Sequence, residues 1–297
     1  MLKIQVLVRS LLPPALRKVL KQTYHFAQER LVEPTELILG LRDPLTPPKS
    51  KIFVGDGDFN AIGKEFRQYF IDFCQLKPDH TLLDVGCGIG RMAVPLTTYL
   101  SSTGMYEGFD PVKKGIDWCQ EHITSHYPNF HFQHINVFNG SYNPTGQDQA
   151  INFRFPYDDE HVDVAIVVGV FTHMTINEIS TYLGEIKRVL KPGGRCFTSF
   201  FLLNDASRQL MSGPTSTFNF QYEFEGRWSF DSQNPNNGSA HDEAELLHLF
   251  SEHGLQIDYP IRYGFWSGRQ PATSFLDIIV VQKTLRITTP FLTNPLH

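Results

Sequence analysis

From Thr81 to Phe201, short apolar runs alternate with stretches of helical pattern, and this alternation constrains the fold more than any other feature of the chain. Strands are expected at 81–85, 105–109, 130–135, 162–168 and 195–201, with helices at about 90–100, 112–126 and 176–190 between them. Strand, helix and strand repeated in this order require right-handed crossovers and a parallel sheet. The run Asp163-Val164-Ala165-Ile166-Val167-Val168 is apolar at successive positions, as a strand covered by helices on both faces must be. Two further strands, near 256–263 and 275–282, are expected to add an antiparallel, hairpin-like edge. Between the two groups lie a polar, aromatic insertion at 203–240 and a helix opened by Asp242 with Glu245 three residues on.

Where the first strand ends and the first helix begins, the chain reads Asp84-Val85-Gly86-Cys87-Gly88-Ile89-Gly90. Glycines at alternating positions let the backbone turn tightly and approach a ligand that a Cβ would exclude. The free N–H groups of the following helix start favour a carboxylate or phosphate. The second strand closes on Glu107-Gly108-Phe109-Asp110, where an acid can accept both hydroxyls of a ribose. Any adenosine-containing cofactor, NAD included, would use that pair. The spacing is GxGxG, however, and Asp84 stands in front of it. A carboxylate there repels a pyrophosphate and suits the cationic amino group of an amino-acid-like cofactor.

Several motifs in this order resemble the class I S-adenosylmethionine (SAM)-dependent methyltransferases, over about residues 53–283. The run from Asp84 through Gly86, Cys87, Gly88 and Gly90 to Arg91 resembles the motif that holds the methionine part of SAM, and Asp110-Pro111 matches the ribose-binding acid and its neighbour. Asn136-Val137 stands where the family contacts adenine, normally through an Asp; the Asn amide oxygen still accepts a hydrogen bond but carries no charge. Phe155-Pro156-Tyr157, the strand at 163–168 and Gly169-Val170-Phe171-Thr172-His173 resemble the fourth-strand motif, with Gly169 and Phe171 expected beside the cofactor. Glu185 to Gly194 resembles the helix and turn that enter the fifth strand. The resemblance implies a Rossmann-like, doubly wound α/β fold with a mostly parallel seven-stranded sheet and an antiparallel last strand. It is extended here by N-terminal helix and by the insertion after the fifth strand. It implies SAM as cofactor and divides the chain into a helical extension and Pro-rich connector (1–50), a methyltransferase domain (51–285) and a tail (286–297).

A sulfonium-bound methyl group is already activated, so such an enzyme must hold a nucleophile in line and exclude water. A hydroxyl acceptor also needs a base, for which His173 and secondarily His241 are the candidates. The glycine-rich loop Phe53-Val54-Gly55-Asp56-Gly57-Asp58-Phe59 is expected to close over the cofactor. Tyr222, Phe224, Trp228 and Phe230 of the insertion are expected over the acceptor, although the alternation Phe218, Phe220, Tyr222, Phe224 equally suits an ordinary two-faced strand. Trp266 and Arg269 are further candidates for that region.

The net charge of −5 offers no general attraction to phosphate, so a small-molecule acceptor is expected rather than nucleic acid. The preferred reading is O-methylation of a metabolite or sugar-like hydroxyl compound. N- or C-methylation, an NAD-dependent oxidoreductase and a non-catalytic SAM-binding protein remain alternatives. Cys74, Cys87, Cys119 and Cys196 form no CxxC pair and read as the reduced thiols of a cytoplasmic protein. His122 and His126 have the i,i+4 spacing of metal ligands, yet no carboxylate or thiolate completes a set and no metal is expected. No stretch reaches the ~20 apolar residues of a membrane span. The segment 16–30 reads as an amphipathic helix packed on its own domain or lying against a membrane surface.

Overall fold

The structure, a computed structural model, describes residues 28–285 with the exception of Asp56. Of the segment 16–30, only the last three residues fall among them, within a wide helical turn, Gln28–Val32, that leads into α1 (Glu33–Ile38). After the Pro-rich connector, α2 (Phe59–Cys74) is capped by Asp58, whose carboxylate accepts the Ala61 N–H. The core alternation then runs β1 (Thr81–Val85), α3 (Ala93–Leu96), β2 (Met105–Asp110), α4 (Lys113–Cys119), β3 (Phe130–His134), β4 (Val162–Val167), α5 (Ile176–Val189) and β5 (Leu190–Phe200). Beyond β6 (Leu202–Leu203) come α6 (Asp205–Leu210), β7 (Tyr222–Phe224), β8 (Arg227–Ser229), β9 (Ser239–Asp242), α7 (Glu243–Glu252), β10 (Leu255–Ile257) and β11 (Asp277–Lys283).

The seven-stranded sheet has the order β10-β11-β5-β4-β1-β2-β3. Strands β1 to β5 are parallel, and β11 runs antiparallel to both β5 and β10, so the expected α/β architecture is the observed one. Alternate residues of β1 divide the core. Leu83 and Val85 join Ile179, Leu183, Ile186 and Phe250 of α5 and α7, and Leu82 joins Phe66, Phe70, Leu96 and Ile116 of α2, α3 and α4. Each such fully buried side chain contributes about 1.5–3 kcal/mol, which makes these two layers the main source of stability.

Three expected elements are redrawn. The helix expected at 90–100 is α-helical only at Ala93–Leu96, because Pro95 has no N–H to give to the Arg91 carbonyl. The helix expected at 112–126 is α-helical to Cys119 and widens into a π-turn at Gln120–Thr124. The turn at 191–194 does not precede β5 but lies inside it as a bulge: Val162 pairs with Leu190, yet Val164 pairs with Arg195.

The insertion builds a second sheet, β6-β9-β8-β7, that starts where β5 leaves the first. Its strands β7 and β8 are joined by Glu225 and Gly226, both with positive φ (49° and 73°), a two-residue hairpin turn. The expected aromatic pair of readings divides by position. Phe218, Phe220 and Phe230 pack with Phe201 and the fully buried Trp266 as a small core, whereas Tyr222 is exposed and Trp228 lies under the Arg208 guanidinium. Arg269 likewise packs on Tyr263 and donates to Asn204. Among the described residues no helix is long and apolar enough to cross a membrane.

Candidate active site

Because β1, β2 and β4 are parallel neighbours, their C-terminal ends open on one edge of the sheet, where ligands of such folds bind. The glycine turn stands there. Gly86 and Gly88 have φ of 81° and 60°, and a Cβ on Gly88 would lie 2.5 Å from the Val54 side chain. A Cβ on Gly86 would strike Val170. Val54 and Val170 therefore form apolar walls on either side of bare backbone. Cys87 between them is buried, and the Gly86 and Cys87 amides both donate to the Phe109 carbonyl, which ties the turn to β2. Gly90 faces away, toward Ile123 and Cys119.

Two carboxylates lie beneath the turn. Asp84 is buried and accepts the Tyr106 hydroxyl at 2.5 Å. Burial pushes its pKa up to about 7, opposed by that hydrogen bond and reinforced by Asp110. Asp110, at the end of β2, accepts the Gly88 amide at 2.8 Å and the Val112 amide at 2.7 Å; burial raises it to about 6 despite both bonds. One oxygen takes each amide, which leaves every oxygen a second lone pair. Pro111, next in line, uses its carbonyl to accept from His134.

Arg91 leaves the turn for the strap before α2: its guanidinium donates to the carbonyls of Val54 and Gly55 and sits 5.5 Å over the Phe59 ring. The loop at 53–59 thus lies against the glycine turn, held by Arg91 on one side and by Lys114 over the Phe53 ring on the other. Phe53 also touches Tyr142, and Tyr142 meets the His173 ring edge-on with centroids 5.5 Å apart. The sequence reading did not select Tyr142 or Tyr106, and it named Val54 only as part of the 53–59 loop. The first stands in a loop without periodicity, and the other two reveal themselves only through what they touch.

Past β4, Gly169 has φ of 70° and donates to the Ser199 hydroxyl, and Phe171 is fully buried on Phe200. His173 closes this short helical turn. Its Nδ1 lies 2.9 Å from the Asn236 carbonyl, which can only accept, so Nδ1 bears the proton and Nε2 keeps a lone pair. Burial lowers its pKa, against the Asn236 bond. His241, on β9, is fully buried; its Nε2 donates to the Phe171 carbonyl and its Nδ1 has no partner. Burial drives its pKa down to about 4. Asn136 lies at the outer rim, where its carbonyl accepts the Gln147 and Asp148 amides, while Val137 is buried. The other histidine pair is spent locally, with His122 stacked on Trp118 and His126 bonded to the His122 carbonyl. Among the described residues there is no group of three metal-binding side chains.

Comparison with known proteins agrees with this geometry. A family model described as a methyltransferase domain matches residues 83–198. A 2-phytyl-1,4-naphtoquinone methyltransferase of Trichormus variabilis is 25% identical over 140 residues, 46% of this chain and 55% of that protein. A tRNA N(3)-cytidine methyltransferase of Gallus gallus is 25% identical over 202 residues, 65% of this chain and 47% of that protein. The chain thus spans about half the length of these curated relatives. The fold is shared with the PH0226 protein of Pyrococcus horikoshii, at 14% identity and a TM-score of 0.55, over 79% of this chain and 95% of that one. The family match begins in the strand that carries Asp84 and ends in the strand paired with β4, so the segment that builds the site is the part of the chain that is similar to a methyltransferase domain.

Proposed function

We propose that the chain transfers a methyl group from SAM to a hydroxyl of a small molecule, with His173 as the base. The observation that carries this reading is the state of His173. A carbonyl holds its Nδ1 proton and burial keeps the ring neutral, which leaves Nε2 free to take a proton beside the glycine turn. Amine and carbon acceptors have less need of such a base.

The residues fit the cofactor in two respects. Gly86 and Gly88 have positive φ and no room for a side chain beside Val170 and Val54, so the turn presents bare backbone between those two walls. Asp84 is a buried acid whose desolvation a cationic amino group would offset. Asp84 would hold that amino group, the lone pairs of Asp110 the ribose hydroxyls, and the Asn136-Val137 segment the adenine. When bound, SAM supplies a sulfonium-activated methyl group for in-line displacement. Val54, Val170 and the ring of Tyr142 would exclude water from the path of transfer, and the 53–59 strap would cover it. His241 is out of solvent reach and braces the Phe171 carbonyl, so its place in this scheme is to position the turn that carries His173. The quinone named in one relative agrees with an aromatic-walled acceptor site, and the net charge of −5 speaks against tRNA.

Calorimetry with S-adenosylhomocysteine tests the cofactor. Binding is expected in the wild type and should weaken by at least about tenfold in Asp110→Ala, as loss of hydrogen bonds to a charged group implies. Transfer to a panel of hydroxyl compounds should then fall by about 10²-fold or more in His173→Gln, with S-adenosylhomocysteine affinity unchanged. Full activity of His173→Gln on a hydroxyl acceptor would refute the base; absence of S-adenosylhomocysteine binding would refute the cofactor scheme.

A further inference from the structure

Arg227 is the first residue of β8, set directly after the two-residue hairpin turn, and its side chain runs inward rather than out to solvent (6% exposed). Its Nη1 donates to the Ser239 hydroxyl at 3.3 Å and reaches the His173 carbonyl at 3.5 Å; its Nη2 donates to the Asn236 side-chain oxygen at 2.7 Å. All three partners are neutral. Among the described residues no carboxylate pairs with it, and its Nε is buried with no acceptor. Two paces away, on β9, stands His241 with its own buried and unpartnered Nδ1. The positive charge of Arg227 acts on both His173 and His241.

A guanidinium does not shed its proton, so burial without an anion carries a desolvation cost that three neutral hydrogen bonds recover only in part. Arg227 is the one arginine among the described residues that is buried outright; the half-buried Arg188 holds Glu185 and Asp159, and the half-buried Arg195 holds Asp258. Arg227 stands at the place where the insertion meets the His173 turn.

We propose that Arg227 is the anion-binding residue of the acceptor site, and that the methyl acceptor carries an organic oxyanion which pairs with its Nε–H. The proposal rests on the placement of the acceptor beside His173. It narrows the acceptor from hydroxyl compounds in general to those that also carry a negatively charged oxygen, either a carboxylate or a phenolate. Arg227 also explains how a protein of net charge −5 draws an anion to this spot, since a desolvated cation attracts far more strongly than a hydrated one. The same fork fixes Asn236, whose carbonyl holds the His173 Nδ1 proton, so an anion bound here lies next to the base.

The test uses the full chain saturated with S-adenosylhomocysteine and measures binding by calorimetry. Hydroxybenzoates are compared with the matching hydroxybenzamides, benzoate is the probe for a carboxylate alone, and a nitrophenol is the probe for a phenolate alone. An acid should bind at least about tenfold more tightly than its amide, the difference expected of a charge-assisted hydrogen bond. In Arg227→Met the preference should vanish while S-adenosylhomocysteine affinity stays at the wild-type value, which also reports that the variant is folded. Should Arg227→Met lose S-adenosylhomocysteine binding, Arg227→Lys carries the test: it keeps the charge without the fork and should retain only part of the preference. Equal affinity for acids and amides, a preference that survives in Arg227→Met, or no binding by any anion of the panel would overturn the proposal. S-adenosylhomocysteine binding in those same experiments separates its failure from failure of the cofactor scheme.

Discussion

Asp84 and His241 are both buried ionisable side chains, and their burial acts in opposite directions on the stability of the protein. Asp84 holds its proton more tightly in the folded chain (about 7) than in the unfolded one (3.8). Its contribution is therefore complete in acid, below the unfolded value, and is lost as pH rises through about 7. His241 releases its proton more readily when folded, at about 4 against 6.5. It favours folding above about 6.5 and loses that contribution as pH falls toward about 4. Melting temperatures of the ligand-free protein between about pH 4 and 8 should show both effects as differences between variants. Asp84→Asn should remove the loss of stability that runs from about pH 4 up to about 7, and His241→Gln the loss that runs from about pH 6.5 down to about 4. Each substitution also moves the baseline by its loss of packing, so the slope reports the proton. Parallel curves for wild type and Asp84→Asn would mean that Asp84 is ionised throughout. Of these two residues, the sequence made the role of Asp84 legible because an acid before alternating glycines has few other reasons to be there. His241 was visible only as a histidine, since nothing local tells a buried imidazole from a surface one.

The elements show why some boundaries were legible and others were not. β1, β2, β3, β4 and α5 fall within a residue or so of expectation because their apolar periods are long and unbroken. The stretch at 90–100 carries a helical period as well, yet Pro95 interrupts its hydrogen-bond ladder, and the exposed Arg91 carbonyl becomes the seat for another helix. Gly63 of α2 packs on that carbonyl: a Cβ there would lie 2.5 Å from the Arg91 oxygen and 3.2 Å from the Pro95 ring. Helix propensity alone would make Gly63→Ala stabilising by about 1 kcal/mol. Overpacking against backbone and a rigid ring costs about 1–3 kcal/mol, so the contact should win and the variant should melt at lower temperature. Thermal unfolding of Gly63→Ala decides between them, and a raised melting temperature would show that α2 can move away from α3. No sequence period could have announced this contact, because it joins a glycine to a backbone atom 28 residues away. The insertion was legible as aromatic, but whether its rings face a ligand or one another depends on which strand each occupies. Phe218, Phe220 and Phe230 turned inward, and Arg227, a residue with no motif around it, became the one beside His173.

At the scale of the whole molecule, the question is whether the acceptor is small or a nucleic acid, since curated relatives of both kinds share about a quarter of their residues with the matched segments. Affinity for a phosphate backbone is carried by lysines and arginines free to displace counterions. Here many of the well-placed cations already have acids. Arg42 lies near Glu33 and Glu36, Lys113 pairs with Asp117, Lys191 with Asp163, Arg195 with Asp258, and Lys283 with Glu160. The surplus charge is negative, and it repels a polyanion at distances up to a Debye length, about 10 Å at 0.1 M salt. Arg227, which no acid pairs among the described residues, is buried, so a duplex groove cannot lie along it. Fluorescence anisotropy with bulk tRNA at about 50 mM salt should accordingly give no saturable binding at micromolar protein, and nothing for added salt to abolish. A tight complex whose affinity falls steeply with salt would reverse the assignment, and the acceptor would then be sought among structured RNAs.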